Sequence, residues 1–340
     1  EESTMRVGTY TLRLKNHPRI VAGGSAVGKK EGEGPLQNYF DHCFTDTTLG
    51  EKSWEKAESD LQQEAVKSVL EKSGVEPSEI QYLFAGDLLN QCISSVFGLR
   101  SMNIPFLGQY GACSTMAQTL GLAAVFVDSG LAQNALAVTS SHFCSAERQF
   151  RYPLEYGGQR TPTAQWTVTG AGAILVGQKG NASIEEVTFG RMADLGVKDA
   201  ANMGAAMAPA AAQTIEDYLK DTGKKPEDFD LILTGDLGQV GSTLLREILN
   251  QDGINIERQQ NDCGLMVYDR QNQDVHAGGS GCGCSAAVFS SYVLQKISEG
   301  DLKHVLFIGT GALMSPTSSQ QGETIPGVAH LVHVAWNAQA

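Results

Sequence analysis

Residues 108–124 read GQYGACSTMAQTLGLAA: a glycine-flanked turn, a cysteine, then an apolar helical pattern. Leu120, Ala124 and Val127 fall at i, i+4 and i+7, the spacing of a buried helix face. Gly121 inside that helix costs around 1 kcal/mol against alanine, so its presence predicts close backbone packing. Cys113 thus stands where an apolar strand (104–108) turns into a helix N-terminus. Unpaired N–H groups and the helix dipole at such a place favour a thiolate and stabilise an oxyanion. The small neighbours Gly111, Ala112 and Ser114 fit a tight elbow; the competing reading is a buried, inert cysteine.

The pattern returns later in the chain. GACSTMAQTLGLAAVFVDSGLAQNALAVTSS (111–141) is answered by CGCSAAVFSSYVLQKISEGDLKHVLFIGTG (282–311), and YLFAGDLLNQ (82–91) by LILTGDLGQV (231–240). Two matches in the same order argue for duplicated halves, with boundaries at 1–178 and 179–340. Short apolar runs at 19–26, 80–86, 104–108, 134–140 and 171–177 predict strands of the first half. Those at 184–190, 229–234, 263–268, 303–309 and 328–336 predict strands of the second. A helix is predicted over 53–73, with Leu61, Ala65 and Val69 on one face and Lys72 a residue out of step. Strands alternating with helices, without hairpin signals, imply an α/β fold: two similar halves, each a five-stranded, mostly parallel sheet packed by helices, with a pocket between them.

The bulk composition narrows the function classes. Across 340 residues, 41% hydrophobic and 19% charged content are globular values. The formal charge of −13 argues against a nucleic-acid partner and against broad attachment to anionic lipid. Seven scattered cysteines fit reduced thiols rather than a disulfide framework. The opening residues carry no apolar signal-peptide core, and LGLAAVFV (120–127), the best apolar run, is far below the ~20 residues of a membrane span.

Several residues are candidates for a site around Cys113. A cysteine nucleophile needs a base, and His142, after the strand end TSS (139–141), is the histidine placed to face the pocket. Ser140 and Ser141 share that strand end. Asp87, with Asn90 after it, and Asp236 end matching strands; the alternative for either Asp is a turn or N-cap role. Cys282 and Cys284, with Cys263 and His276, are read as the second elbow rather than as zinc ligands, because no second tight Cys pair exists. The segment 145–163 carries Arg148, Arg151 and Arg160 among aromatics and is long for a connection inside a compact fold. Arginine matches a carboxylate through paired hydrogen bonds.

These features resemble the thiolase and ketoacyl-synthase superfamily, whose first half ends on a strand like VTGAGAILVG (168–177). A closer resemblance is to the stage V sporulation protein AD family. It runs through GPLQNYFD (34–41), AGDLLNQ (85–91), GACST (111–115), TSSH (139–142), AERQFRYPLEYGGQ (146–159), MAPAAAQTI (207–215), LILTGDL (231–237), NDCGL (261–265), AGGSGCGCSA (277–286) and ETIPGVAH (323–330). The resemblance implies a non-catalytic relative that binds dipicolinic acid, pyridine-2,6-dicarboxylate, free or as its calcium chelate. It also implies support of that compound's uptake into the developing spore, alongside other proteins of the uptake system at the inner membrane.

The superfamily's catalytic pattern is broken here. The strand end that brings its histidine reads LTGDLGQ, with Asp236 or Leu237 in that place, and its later asparagine becomes Gly283. The expectation is therefore a binder with Cys113 as a vestigial nucleophile. Ligand-binding candidates are Asp87, Asn90, Cys113, Ser140, Ser141, His142, Arg151, Asp236, Gly283 and Cys284, with no cofactor and no metal ligand set. The alternative is a divergent acyl transferase using Cys113 and His142; a third reading is a structural partner acting through 145–163. A homodimer and peripheral membrane association are further expectations.

Overall fold

The computed structural model describes residues 5–150 and 160–337. Ten strands form the continuous path of its 13-stranded main sheet. The first five are β1 (Arg19–Val27), β2 (Tyr82–Gly86), β3 (Phe106–Gly108), β4 (Ala135–Ser141) and β5 (Gly170–Gly177). The second five are β6 (Ala182–Phe189), β7 (Leu231–Thr234), β8 (Gln260–Asp262), β9 (His304–Ala312) and β10 (Gly327–Trp336). The first set is ordered β3-β2-β4-β5-β1 and the second β8-β7-β9-β10-β6, the same order twice. A two-residue antiparallel join between β1 and β6, Ile20 with Ala182 and Arg19 with Ser183, makes them continuous.

The pairing is mixed rather than mostly parallel. In each set the outer three strands are parallel, while β4, β5 and β1, and likewise β9, β10 and β6, are antiparallel. The antiparallel neighbours are joined by long connections instead of tight turns, so no hairpin signal marks them. A second difference lies at 263–268, where a strand was expected. The strand there is β8, and Cys263–Met266 is a short helix. The Asp262 carboxylate, accepting from the Leu237 and Gly238 N–H groups, ends the ladder. A short buried apolar run does not distinguish strand from helix by period alone.

The helices that position the site are α1 (Trp54–Ser73), α2 (Ile93–Leu99), α3 (Thr115–Asp128), α4 (Phe143–Phe150), α5 (Met203–Thr222), α6 (Gly238–Gln251) and α7 (Cys282–Val288). Helix α1 begins at an N-cap, Ser53, whose side chain accepts from the Lys56 N–H, and ends at Gly74 in a left-handed conformation. It covers the outer face of the first strand set, where Leu61, Ala65 and Val69 are fully buried. Helices α5 and α6 cover the outer face of the second set.

Helices α3 and α7 lie between the two strand sets, so α3 is buried on nearly every side rather than along one stripe. Two close approaches make this sandwich. A Cβ on Gly172 of β5 would stand 2.2 Å from the Ala286 carbonyl oxygen of α7. One on Gly311 of β9 would stand 2.3 Å from the Gly111 carbonyl oxygen at the elbow before α3. Gly121 packs as its position predicted, with a Cβ there 3.0 Å from Val187.

Because the Gly172 clash is with backbone, Gly172→Ala is expected to destabilise the protein by about 2–3 kcal/mol. The measurement is the midpoint of denaturant unfolding; an unchanged midpoint would mean that α7 does not rest against β5.

Candidate functional site

Ala112, with φ of 50°, makes the turn that presents Cys113, and Ser114 is the N-cap residue of α3. The turn uses its own donors: Ser114 N–H and Oγ both bond the Gly111 carbonyl, at 3.0 and 2.6 Å, and Thr115 N–H bonds that of Ala112. These two N–H groups, expected to serve an oxyanion or a carboxylate, are therefore engaged within the elbow. Cys113 is 5% exposed and lines a narrow cavity of about 30 Å³. Its other walls include Leu88, Ala146 and Phe150 from the first half and Met203, Ala312 and Met314 from the second. Tyr110 stands at the mouth, 44% exposed. Thr167 and Ser280, partners in a short parallel ladder between the halves, complete it.

Behind the cysteine lies Asp236. Its carboxylate accepts from Thr310 Oγ1 at 2.8 Å, the Gly281 N–H at 2.8 Å and Ser280 Oγ at 3.3 Å, and the Cys113 thiol is among the groups that lower its pKa. Burial pushes this carboxyl up to about 6 against the pull of those donors. Asp262, accepting from Thr234 Oγ1 at 2.6 Å, is pushed up to about 7, by burial first and then by Asp236. A carboxylate next to the thiol favours S–H over thiolate, the reverse of what an imidazolium does. The titratable group behind Cys113 is therefore a carboxyl that disfavours its thiolate.

His142 is 1% exposed but does not serve Cys113. Its Nε2 donates to the Thr47 carbonyl at 2.7 Å and its Nδ1 accepts from the Cys144 N–H at 3.1 Å, while burial lowers its pKa. Sequence could place it at a strand end but not orient its ring. Gly283 packs against the Ser141 strand end; a Cβ there would lie 2.4 Å from the Gly170 oxygen and 2.5 Å from Ser141 Oγ. No side chain fits at Gly283 without displacing backbone.

The other candidates scatter around the cavity. Asp87 is fully buried behind Leu88, accepting from Leu89 N–H, Ser95 N–H and Ser95 Oγ. Ser140 donates to Glu58 at 2.9 Å, and Ser141 to the Val168 carbonyl at 2.7 Å. Asn90 is exposed, its N–H donating to Gln149 Oε1. Cys284 is fully buried, away from the lining. Arg148 pairs with Glu55 beside Trp54, and Arg160 stacks 4.7 Å from the Trp166 ring. Arg151 lies outside the described residues.

The reading from sequence missed Tyr110, Met203, Met314, Thr310 and Glu58. Thr310 had a signal, because GTG (309–311) is the repeat equivalent of TSS. The methionines sit in loops and at a helix start, with nothing to mark them as facing Cys113.

Two predictions follow from this geometry. Gly283→Asn is expected to lower stability by about 2–3 kcal/mol in denaturant unfolding, because overpacking meets backbone. Stability should also vary with pH through the buried titratable groups. Carboxyls with raised folded pKa lose their contribution as pH rises through about 7 for Asp262 and about 8 for Glu58. Buried His142 and His330, the latter held down at about 4, lose theirs as pH falls below their unfolded range. The melting temperature of wild type relative to Asp262→Asn is expected to fall between pH 5 and pH 8; a difference that stays constant over that range would exclude Asp262 as a source.

Similarity to known proteins agrees with this layout. A sequence model described as stage V sporulation protein AD matches residues 8–335. The stage V sporulation protein AD of Bacillus subtilis (strain 168) is 48% identical over 316 residues, 92% of this chain and 93% of that protein. Among solved structures, 3-oxoacyl-[acyl-carrier-protein] synthase III from Aquifex aeolicus VF5 is similar with TM-score 0.57 at 15% identity, covering 94% of this chain and 100% of its own. OleA from Xanthomonas campestris gives 0.61 at 14% identity, over 94% and 97%. At such identities the structures share a fold, of the thiolase-like condensing-enzyme type, and nothing finer. The sequence match is of another order: the chain belongs to the stage V sporulation protein AD family.

Proposed function

We propose that the chain binds dipicolinic acid, preferably as its calcium chelate, in the cavity over Cys113, without catalysing a reaction on it. The observation that carries the reading is the buried Asp236 carboxyl behind Cys113, held by Thr310, Gly281 and Ser280. Its negative charge disfavours the thiolate that condensing chemistry needs, while His142 is committed to Thr47. The walls, Tyr110, Phe150, Met203 and Met314, are apolar or aromatic and suit a flat ring. The cavity as it stands has room for about two waters. Ring entry therefore requires side chains to turn aside, which unbranched methionines do at low cost.

Charge favours the chelate over the free dianion. Two carboxylates entering beside Asp236, with no Lys or Arg among the described lining residues, are repelled unless a cation travels with them. Calcium bound to the ligand supplies it and keeps oxygen-ligand positions open. Family membership supports a role in sporulation, and we extend it to uptake of the compound into the developing spore with protein partners at the inner membrane. No described helix is long and apolar enough to cross a membrane, which fits a peripheral attachment. The open edge of β3, with Phe106, Leu107 and nearby Phe97 exposed, favours a homodimer.

Titration calorimetry with dipicolinate, with and without calcium, is expected to give saturable heat that is stronger with calcium. Ala146→Phe, which fills the cavity, is expected to abolish it without unfolding the chain. Absence of heat at millimolar ligand, or binding unchanged in Ala146→Phe, would sink the reading. Acyl transfer would be revived by a covalent mass increase at Cys113 after incubation with acyl-CoA.

A further inference from the structure

Behind the α4 wall of the cavity lies a buried polar network that the proposed binding does not use directly. Glu58 of α1 is 1% exposed. It accepts from Ser140 Oγ at the end of β4, at 2.9 Å, and from Ser145 Oγ in the first turn of α4, at 2.8 Å. Gln62, one turn along α1, donates to both Ser140 Oγ at 2.7 Å and Ser95 Oγ at 2.9 Å. Ser95 in turn donates to Asp87. One chain of side chains thus joins α1, β4, α4 and α2.

The network holds two carboxyl groups, and among the described residues no cation pairs with either. Two charges of one sign in a dry interior cannot both persist, so one carboxyl keeps its proton. The donors decide which. Asp87 accepts from two backbone N–H groups, Leu89 at 2.9 Å and Ser95 at 2.9 Å, which can only donate. Glu58 faces only hydroxyls, of Ser140, Ser145 and Ser94, and a hydroxyl turns from donor to acceptor at will. The charge therefore rests on Asp87 and the proton on Glu58. The other titratable group facing Glu58 is the Cys282 thiol, which donates to the Ser140 carbonyl at 3.0 Å. Burial, and then Asp87, push the Glu58 carboxyl up to about 8, in keeping with this assignment.

We propose that Glu58 is a positioning residue for the cavity: as a neutral carboxyl it ties the Ser140 strand end to the Ser145 turn, and so fixes the wall that Ala146 and Phe150 present to a ligand. Ionisation at alkaline pH places a second negative charge beside Asp87 and loosens α4. The inference rests on the proposed binding only for its ligand readout; the wall itself is read through Cys113.

The test compares wild type with Glu58→Gln, whose amide is neutral at every pH, and with Glu58→Ala. Alkylation of Cys113 by iodoacetamide, followed by peptide mass spectrometry, reports wall opening. Thiol ionisation is common to all three proteins and cancels in a ratio. The wild-type rate relative to Glu58→Gln is expected to be near one at pH 7 and to rise at least about fivefold by pH 9. Calcium dipicolinate affinity should fall about tenfold over the same range in wild type and hold within about twofold in Glu58→Gln. Glu58→Ala should show the open, fast-alkylating cavity already at pH 7. A rate ratio that stays near one, or a Glu58→Gln protein that is already open at pH 7, overturns the proposal whether or not the Ala variant folds. If no protein binds calcium dipicolinate but the rate ratio rises, the binding reading falls and the positioning role of Glu58 stands.

Discussion

The structure depends on one steric constraint, the pressing of two helices between two sets of strands. Helices α3 and α7 have no solvent-facing side wide enough for polar residues, and both begin at a cysteine-bearing elbow. Their contacts with the strands are made through backbone where Gly172 meets Ala286 and Gly311 meets Gly111. Because the elbows approach from opposite halves, whatever stands at their tips shares one small space. That space contains Cys113, with Cys282 packed against it and Asp236 behind.

The chemistry of the site follows from its charge as much as from its shape. Asp236, Asp262, Asp87 and Glu58 are all buried around the elbows, and their partners are hydroxyls, backbone amides and one thiol. A positive neighbour favours the thiolate a cysteine nucleophile needs; this arrangement surrounds the thiol with acids instead. The same condensing-enzyme fold here carries a cavity lined by Cys113 with these acids behind it.

Much of the frame was legible in the chain. The repeat of Gly-Asp-Leu and of the Cys-Ser elbow foretold two alike strand orders, and the apolar runs located nine of the ten strands within a few residues. The run at 263–268 failed because Asp262, through its bonds to Leu237 and Gly238, stops the strand where hydrophobicity alone would continue it. The parallel character was overread because antiparallel neighbours here are distant in sequence. At the site, Cys113 and Asp236 were recognisable from their equivalence between halves. Glu58 was not, since an acid in the middle of a predicted surface helix carries no mark of burial.

The sequence by itself determined the repeat and the elbow at Cys113, because these are matters of residue type and spacing along the chain. Only the tertiary structure decided that Asp236 meets the thiol, that His142 turns to Thr47, and that Gly283 leaves no room for a side chain. Each of these is a distance between segments far apart in sequence, fixed by how closely two backbones pack.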